Sequence, residues 1–201
     1  AIVFAESKRM GSALEILRKV RDSLDNIDVH VNIAHCLLEM HDYSKAIESY
    51  EFALKKYGNK NNKAYIMNLL GKAWYSRGAK ERSLEFFQKA LKNVEMALEV
   101  ARQNETSQTK FSASLMYNVA LLHFQIAETL RRSNSRERKL QDIHDAMEGL
   151  NVGLTYLKSL SNIDEFVMIP KEELEQRIQL GETTMKSALA VSYTHLTLPT
   201  N

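Results

Sequence analysis

The sequence predicts an all-α protein, an α-solenoid of antiparallel helix pairs, on three observations. Apolar residues recur at spacings of three and four from Ile2 to about Ala190, which places them on one face of each successive helix. Only two prolines occur and none precedes Pro170, so long helices run uninterrupted and a turn-rich β protein is excluded. One set of small and large residues returns at a fixed spacing, as it does in stacked helical units.

Taken in order, "GSALEILRKV" puts Ala13, Leu14, Leu17 and Val20 in one stripe, and "AIESYEFALKKY" repeats the arrangement with Ala46, Ile47, Tyr50, Ala53 and Leu54. Breaks are expected at "SLDNID", "MHDY", "YGNKNN", "SRGAK", "RQNETSQ", "RRSNSRERK" and "SNIDEFVMIP", each rich in cap and turn residues. They leave about eight or nine helices. The helix containing Phe87 meets no proline and is expected to run on through "KNVEMALEVARQ" for about 25 residues, or about 38 Å. Pro170 suits the first turn of a last helix, "PKEELEQRIQLGETTMKSALA", whose acidic start favours a helix N-terminus and which can cover the apolar face of the last pair.

The repeat itself is read from Ile33-Ala34, Leu37, Ala46, Tyr50 and Ala53, matched at identical spacing by Leu70-Gly71, Trp74, Ser83, Phe87 and Ala90. This pattern resembles the tetratricopeptide repeat, in which a small residue on the first helix of a pair meets a small residue on the second. The resemblance pairs Ala34 with Ala46 and Gly71 with Ser83, with Tyr50, Trp74 and Phe87 filling the space around them. Phe86 adds to that packing or faces the next repeat. A stretched third copy has Val119-Ala120 followed by Ala146, Leu150 and Gly153. Ala13, Leu17 and Val20 take the second-helix positions of an earlier repeat, so residues 1–190 are expected to be a repeat segment cut inside a repeat at its start. Residues 191–201, "VSYTHLTLPTN", change character abruptly and are expected to be a non-native or disordered tail.

Composition narrows the function classes. Lys and Arg total 27 against 25 Asp and Glu, a formal charge of +2, which names no polyanionic partner. The single cysteine, Cys36, cannot form an intrachain disulfide, and no apolar run approaches the roughly 20 residues that cross a bilayer, so an intracellular chain without a membrane role is expected. His30 and His35 stand five apart and point to different faces, in no paired-ligand spacing, so no metal or other cofactor is expected. Cys36 lacks the basic neighbours that activate a thiol and reads as core. No nucleophile elbow, phosphate loop or catalytic carboxylate pattern occurs, and an enzyme is not expected.

Two surfaces remain as candidate binding sites. The repeat alignment projects Val31, Asn32, His35 and Leu38, then Tyr65, Asn68, Lys72 and Tyr75, then Tyr117, Asn118, Leu121 and Phe124, onto the first-helix face that lines a protein-binding groove. The basic loop "RRSNSRERK", with Arg131, Arg132, Arg136, Arg138 and Lys139, is an alternative contact for nucleic acid, though no aromatic residue interleaves it. A generic peptide-binding cochaperone module is a further alternative. It is disfavoured because Val31, His35 and Leu69 stand where the chaperone-binding branch carries its carboxylate clamp.

Longer strings are more specific. "AIVFAESKRMGSALEILRKVRDSLDN", "NLLGKAWYSRGAKERSLEFFQKAL", "NVALLHFQIAETLRRSN" and "MIPKEELEQRIQLGETTMKSALA" resemble the tetratricopeptide-rich large subunit of the fungal Polymerase-Associated Factor complex, over residues 1 to about 190. The resemblance implies a nuclear, non-catalytic scaffold. Its implied partners are the other subunits of that complex and RNA polymerase II, in support of transcription elongation and co-transcriptional histone modification.

Overall fold

A computed structural model describes residues 2–104, 110–132, 140–163 and 169–197. They form eight α-helices and, among the described residues, no strand: α1 (Ile2–Arg21), α2 (Ile27–Glu39), α3 (Tyr43–Tyr57), α4 (Lys63–Glu81), α5 (Leu84–Asn104), α6 (Lys110–Arg132), α7 (Leu140–Ser161) and α8 (Lys171–Thr197). The chain divides into two compact units, residues 1–104 and 105–201. In the first, each helix packs on the next in chain order from α1 to α5; in the second, α6 packs on α7 and α7 on α8.

In the first unit the helix ends follow from local chemistry. Asn26 caps α2, its side-chain oxygen accepting the Val29 N–H at 3.0 Å, and Asp42 caps α3 by accepting from Lys45. Between them His41 takes a left-handed conformation at φ 63, which costs a non-glycine residue about 1 kcal/mol. His41 donates its backbone N–H to Leu38 and Asp42 donates to Leu37, closing the last turn of α2. The α2–α3 pair then buries Ala34, Ala46, Tyr50 and Ala53 completely.

The α4–α5 pair departs from the expected break at "SRGAK". Helix α4 continues through it to Glu81, and the chain turns at Arg82, left-handed at φ 52, with Ser83 donating to Gly78. Gly78 acts as a packing position here, not as a helix breaker. A Cβ there would lie 2.9 Å from the Phe87 ring and 3.3 Å from Phe86 Cβ.

This longer α4 moves the contact register. Gly71 faces Ala90 and Val94 of α5, where an added Cβ would sit 2.5 Å from Val94 Cγ2 and 3.2 Å from the Ala90 carbonyl oxygen. Ser83, the partner expected from the repeat spacing, instead lies at the turn and accepts the Phe87 N–H. Helix α5 runs 21 residues, about 32 Å.

The second unit shifts in the same way. Gly153 of α7, not Ala146, meets Ala120 of α6: its Cβ would stand 3.1 Å from the Ala120 carbonyl oxygen. Ala146 lies seven residues earlier and lines an apolar cleft of about 150 Å3 with Ala127, Leu130 and Ala188. Pro170 immediately precedes α8, its carbonyl accepting from Glu173 and Leu174, and Glu172 and Glu173 occupy the first turn. The backbone of α8 stays helical through Thr197, seven residues into "VSYTHLTLPTN"; residues 198–201 lie outside the described residues.

Candidate functional site: the first-helix faces

Helix α4 presents one continuous stripe. Tyr65, Asn68, Lys72 and Tyr75 follow one another at spacings of three, four and three, which places them along one side of the helix. Tyr65 is 48% exposed, Tyr75 40%, and Lys72 is exposed, whereas Asn68 is half-buried. Tyr75 is held from behind by the Phe87 ring, 5.6 Å between centroids.

On α2 the expected set divides. Asn32 and His35 are exposed, but Val31 and Leu38 are buried at 7% and 4% and belong to the hydrophobic core of the first unit. Their apolar side chains are consumed by packing, so they cannot form a contact surface without opening that core. Tyr50 of α3 lies in this core with its hydroxyl buried and without a hydrogen-bond partner among the described residues. Burial pushes its phenol well above the usual range, with smaller contributions from Tyr65 of α4 and Glu39 of α2.

The third expected set is corrected by α8. Tyr117 is buried, and the Arg177 guanidinium of α8 sits 5.7 Å from its ring; burial raises its phenol. The half-buried Phe124 is wedged between two glycines. A Cβ on Gly153 would lie 2.8 Å from its ring, and one on Gly181 of α8 would lie 3.0 Å from it. Thus α8 occupies the side of α6 that the alignment assigned to a groove. Asn118 and Leu121 remain half-buried.

Of the basic loop, Arg131 and Arg132 are described, and Arg136, Arg138 and Lys139 lie outside the described residues. Both arginines converge on Glu128: Arg131 Nε at 2.8 Å and Arg132 Nε at 2.5 Å. The Arg131 guanidinium, ahead of Arg132, holds the Glu128 carboxyl below its usual range.

Trp74, the single tryptophan, is half-buried against the first unit's core. Its ring lies 5.3 Å from Phe86, with the Lys89 ammonium 4.8 Å and the Arg77 guanidinium 5.8 Å from its centroid. Arg77 also pairs with Glu81 and Lys89 with Glu85, so the tryptophan belongs to a locally satisfied packing cluster. Cys36 is buried and burial pushes its thiol up. Among the described residues one group could offer clustered metal ligands, His144, Asp145 and Glu148, all exposed. No helix of the described residues is long and apolar enough to cross a membrane.

One centre escaped the sequence reading. Asp25, in the α1–α2 turn, receives donors from three side chains: the Lys56 ammonium, the Tyr57 hydroxyl and His30 Nε2, the last at 2.9 Å. These donors, Lys56 first, hold its carboxyl far below the usual range. The signal lay in lone polar residues 31 and 32 positions apart in sequence, which no helical period connects.

The geometry is that of an all-α protein of successively packed helices, and the tetratricopeptide repeat family model matches residues 25–95, from Asp25 just before α2 into α5. The chain is 63% identical over 189 residues to the RNA polymerase-associated protein CTR9 of Saccharomyces cerevisiae, covering 94% of this chain and 18% of that protein. It is 28% identical over 189 residues to the Tetratricopeptide repeat protein 1 of Schizosaccharomyces pombe, covering 94% of this chain and 17% of that one. The chain thus spans less than a fifth of either relative. Among solved structures, BtubC (BKLC) from P. vanneervenii matches at 14% identity and a TM-score of 0.45, covering 100% of this chain and 95% of that one.

Proposed function

We propose that this chain is a repeat segment of a non-catalytic nuclear scaffold that holds partner proteins on RNA polymerase II during elongation. In this reading it works with the other subunits of the Polymerase-Associated Factor complex and supports co-transcriptional histone modification. The observation that carries the proposal is the 63% identity, over 94% of this chain, to a yeast protein named for its association with RNA polymerase. The helix pairs supply a fitting means, because a rigid helical face presents side chains at fixed spacing without chemistry of its own.

The contact stripe of this reading is Tyr65, Lys72 and Tyr75 on α4, together with Asn32 and His35 on α2. The part-exposed Tyr65, and Tyr75 with the Phe87 ring behind it, offer large contact area at low entropic cost. Lys72 gives a direct readout, since its amine reacts with lysine cross-linkers. The chain should be mixed with purified polymerase and with the other subunits of the complex, cross-linked and mapped by mass spectrometry. Cross-links from Lys72 that vanish in a Tyr65→Ala/Tyr75→Ala variant of unchanged melting temperature are expected. Recovery of no partner would defeat the scaffold reading, and cross-links that avoid the α4 stripe would defeat the stripe alone.

A further inference from the structure

A second surface feature lies at the α3–α4 junction. An open cleft of about 430 Å3 lies where the end of α3 meets the starts of α2 and α4. Residues 55–63, "KKYGNKNNK", contain four lysines and no acid. Lys55 and Lys56 line the cleft, and Lys60 and Lys63 are exposed in and beside the adjoining turn. The one acidic residue of the lining, Asp25, is already engaged by Lys56, Tyr57 and His30.

The three asparagines of the lining sharpen the chemistry. Asn26 Oδ1 accepts from the Val29 N–H, Asn59 Oδ1 accepts from Asn61 and Asn62, and Asn62 Oδ1 accepts from the Asn59 N–H. Each amide oxygen is therefore used by backbone, which fixes the orientation of the side chain. What remains on all three is the NH2 group, a pure donor with no acceptor among the described residues. With Lys56 paired to Asp25, the Lys55 ammonium and the amide NH2 groups make a lining rich in donors, which an anionic oxygen satisfies more strongly than a neutral acceptor does.

We propose that this cleft docks a carboxylate-rich segment of a partner protein. A protein segment fits better than nucleic acid on two counts. The basic cluster at the cleft is a single nine-residue stretch in a chain whose formal charge is +2, too local to track a phosphate backbone. The neighbouring rings are already partly engaged, because Tyr57 and the 47% exposed Phe52 both pack on His30, at 5.5 and 4.9 Å, with the Lys56 ammonium over them.

The probe is a fluorescent deca-glutamate peptide, titrated with the whole chain by anisotropy across a sodium chloride series, beside a single-stranded RNA ten-mer. Binding of the peptide should weaken with salt and fall about tenfold or more in Lys55→Glu/Lys60→Glu/Lys63→Glu. Asn62→Asp keeps the oxygen that accepts from Asn59 and replaces the donor NH2 with an acceptor, so it should weaken the peptide severalfold at an unchanged melting temperature. Tyr65→Ala/Tyr75→Ala should leave peptide binding intact, which separates this surface from the α4 stripe. Peptide affinity unchanged by the lysine and asparagine replacements would overturn the proposal. So would RNA bound more tightly than peptide and lost with the same lysines.

Discussion

Replacing Gly71 by alanine tests the contact register of the α4–α5 pair. Two effects oppose each other. Alanine in place of a mid-helix glycine gains about 1 kcal/mol of intrinsic helix stability. Against this, the new Cβ would lie 2.5 Å from Val94 Cγ2, a methyl on a β-branched side chain with one strongly preferred helical rotamer, and 3.2 Å from the Ala90 carbonyl oxygen. Overpacking of this kind costs about 1–3 kcal/mol, so Gly71→Ala should destabilise the protein by about 1 kcal/mol net. Removing the obstructing methyl with Val94→Ala lowers stability by itself, since Val94 is 2% exposed. In that background Gly71→Ala should become neutral or stabilising, giving a coupling of about 1–2 kcal/mol between the two sites. Urea unfolding read by Trp74 fluorescence is the assay, because the single tryptophan sits half-buried on the same helix, three residues from Gly71. Equal effects of Gly71→Ala in the wild-type and Val94→Ala backgrounds would refute the contact. Coupling to Ser83→Ala instead would restore the register that the repeat spacing suggests.

Three further outcomes are expected. Tyr50→Phe removes a buried hydroxyl that lacks a partner and should leave stability unchanged or raise it by about 1 kcal/mol in the same urea assay; a loss of that size would show that the hydroxyl is bonded. Asp25 has a folded pKa below its unfolded value, so its contribution is complete above about pH 4 and is lost as pH falls from there toward the folded value. The stability difference between wild type and Asp25→Asn should therefore shrink on acidification below about pH 4, and a difference that stays constant would remove the three-donor centre as its source. Phe124→Ala should lower stability by about 2–3 kcal/mol while leaving the Lys72 cross-links in place, as expected of a packing residue; loss of those cross-links at normal stability would mark it as a contact.

Much of the fold was legible because helical periodicity, cap residues and the absence of early proline act locally. The Asn26 and Asp42 caps stand where the sequence places them, and the Ala34–Ala46 pair is fully buried as the repeat pattern requires. What spacing alone missed was helix length. "SRGAK" reads as a break because Ser, Gly and Lys favour turns, but the Phe87 ring against Gly78 makes that glycine a packing site inside α4. Contacts between antiparallel helices are set by where the turn falls. A turn delayed to Arg82 therefore moves the partner of Gly71 from Ser83 to the Ala90–Val94 segment. The Asp25 centre was invisible for a different reason: its donors converge only after α2 and α3 have packed.

Helix packing also sets why the candidate stripe stays exposed on α4 and is covered on α6. On both helices the alignment selects one side, and on both a longer helix changes what meets the other side. On α4 the extension is absorbed by α5, through Gly71 and Gly78, so the stripe of Tyr65, Lys72 and Tyr75 is left exposed. On α6 the selected side also receives α8, through Arg177 over Tyr117 and Gly181 against Phe124. Small residues on both α7 and α8 are what let a phenylalanine sit in that seam. A first-helix aromatic in such an array is thus a contact candidate only where no later helix brings a glycine to it, a condition that Tyr75, backed by the Phe87 ring, meets and Phe124 does not.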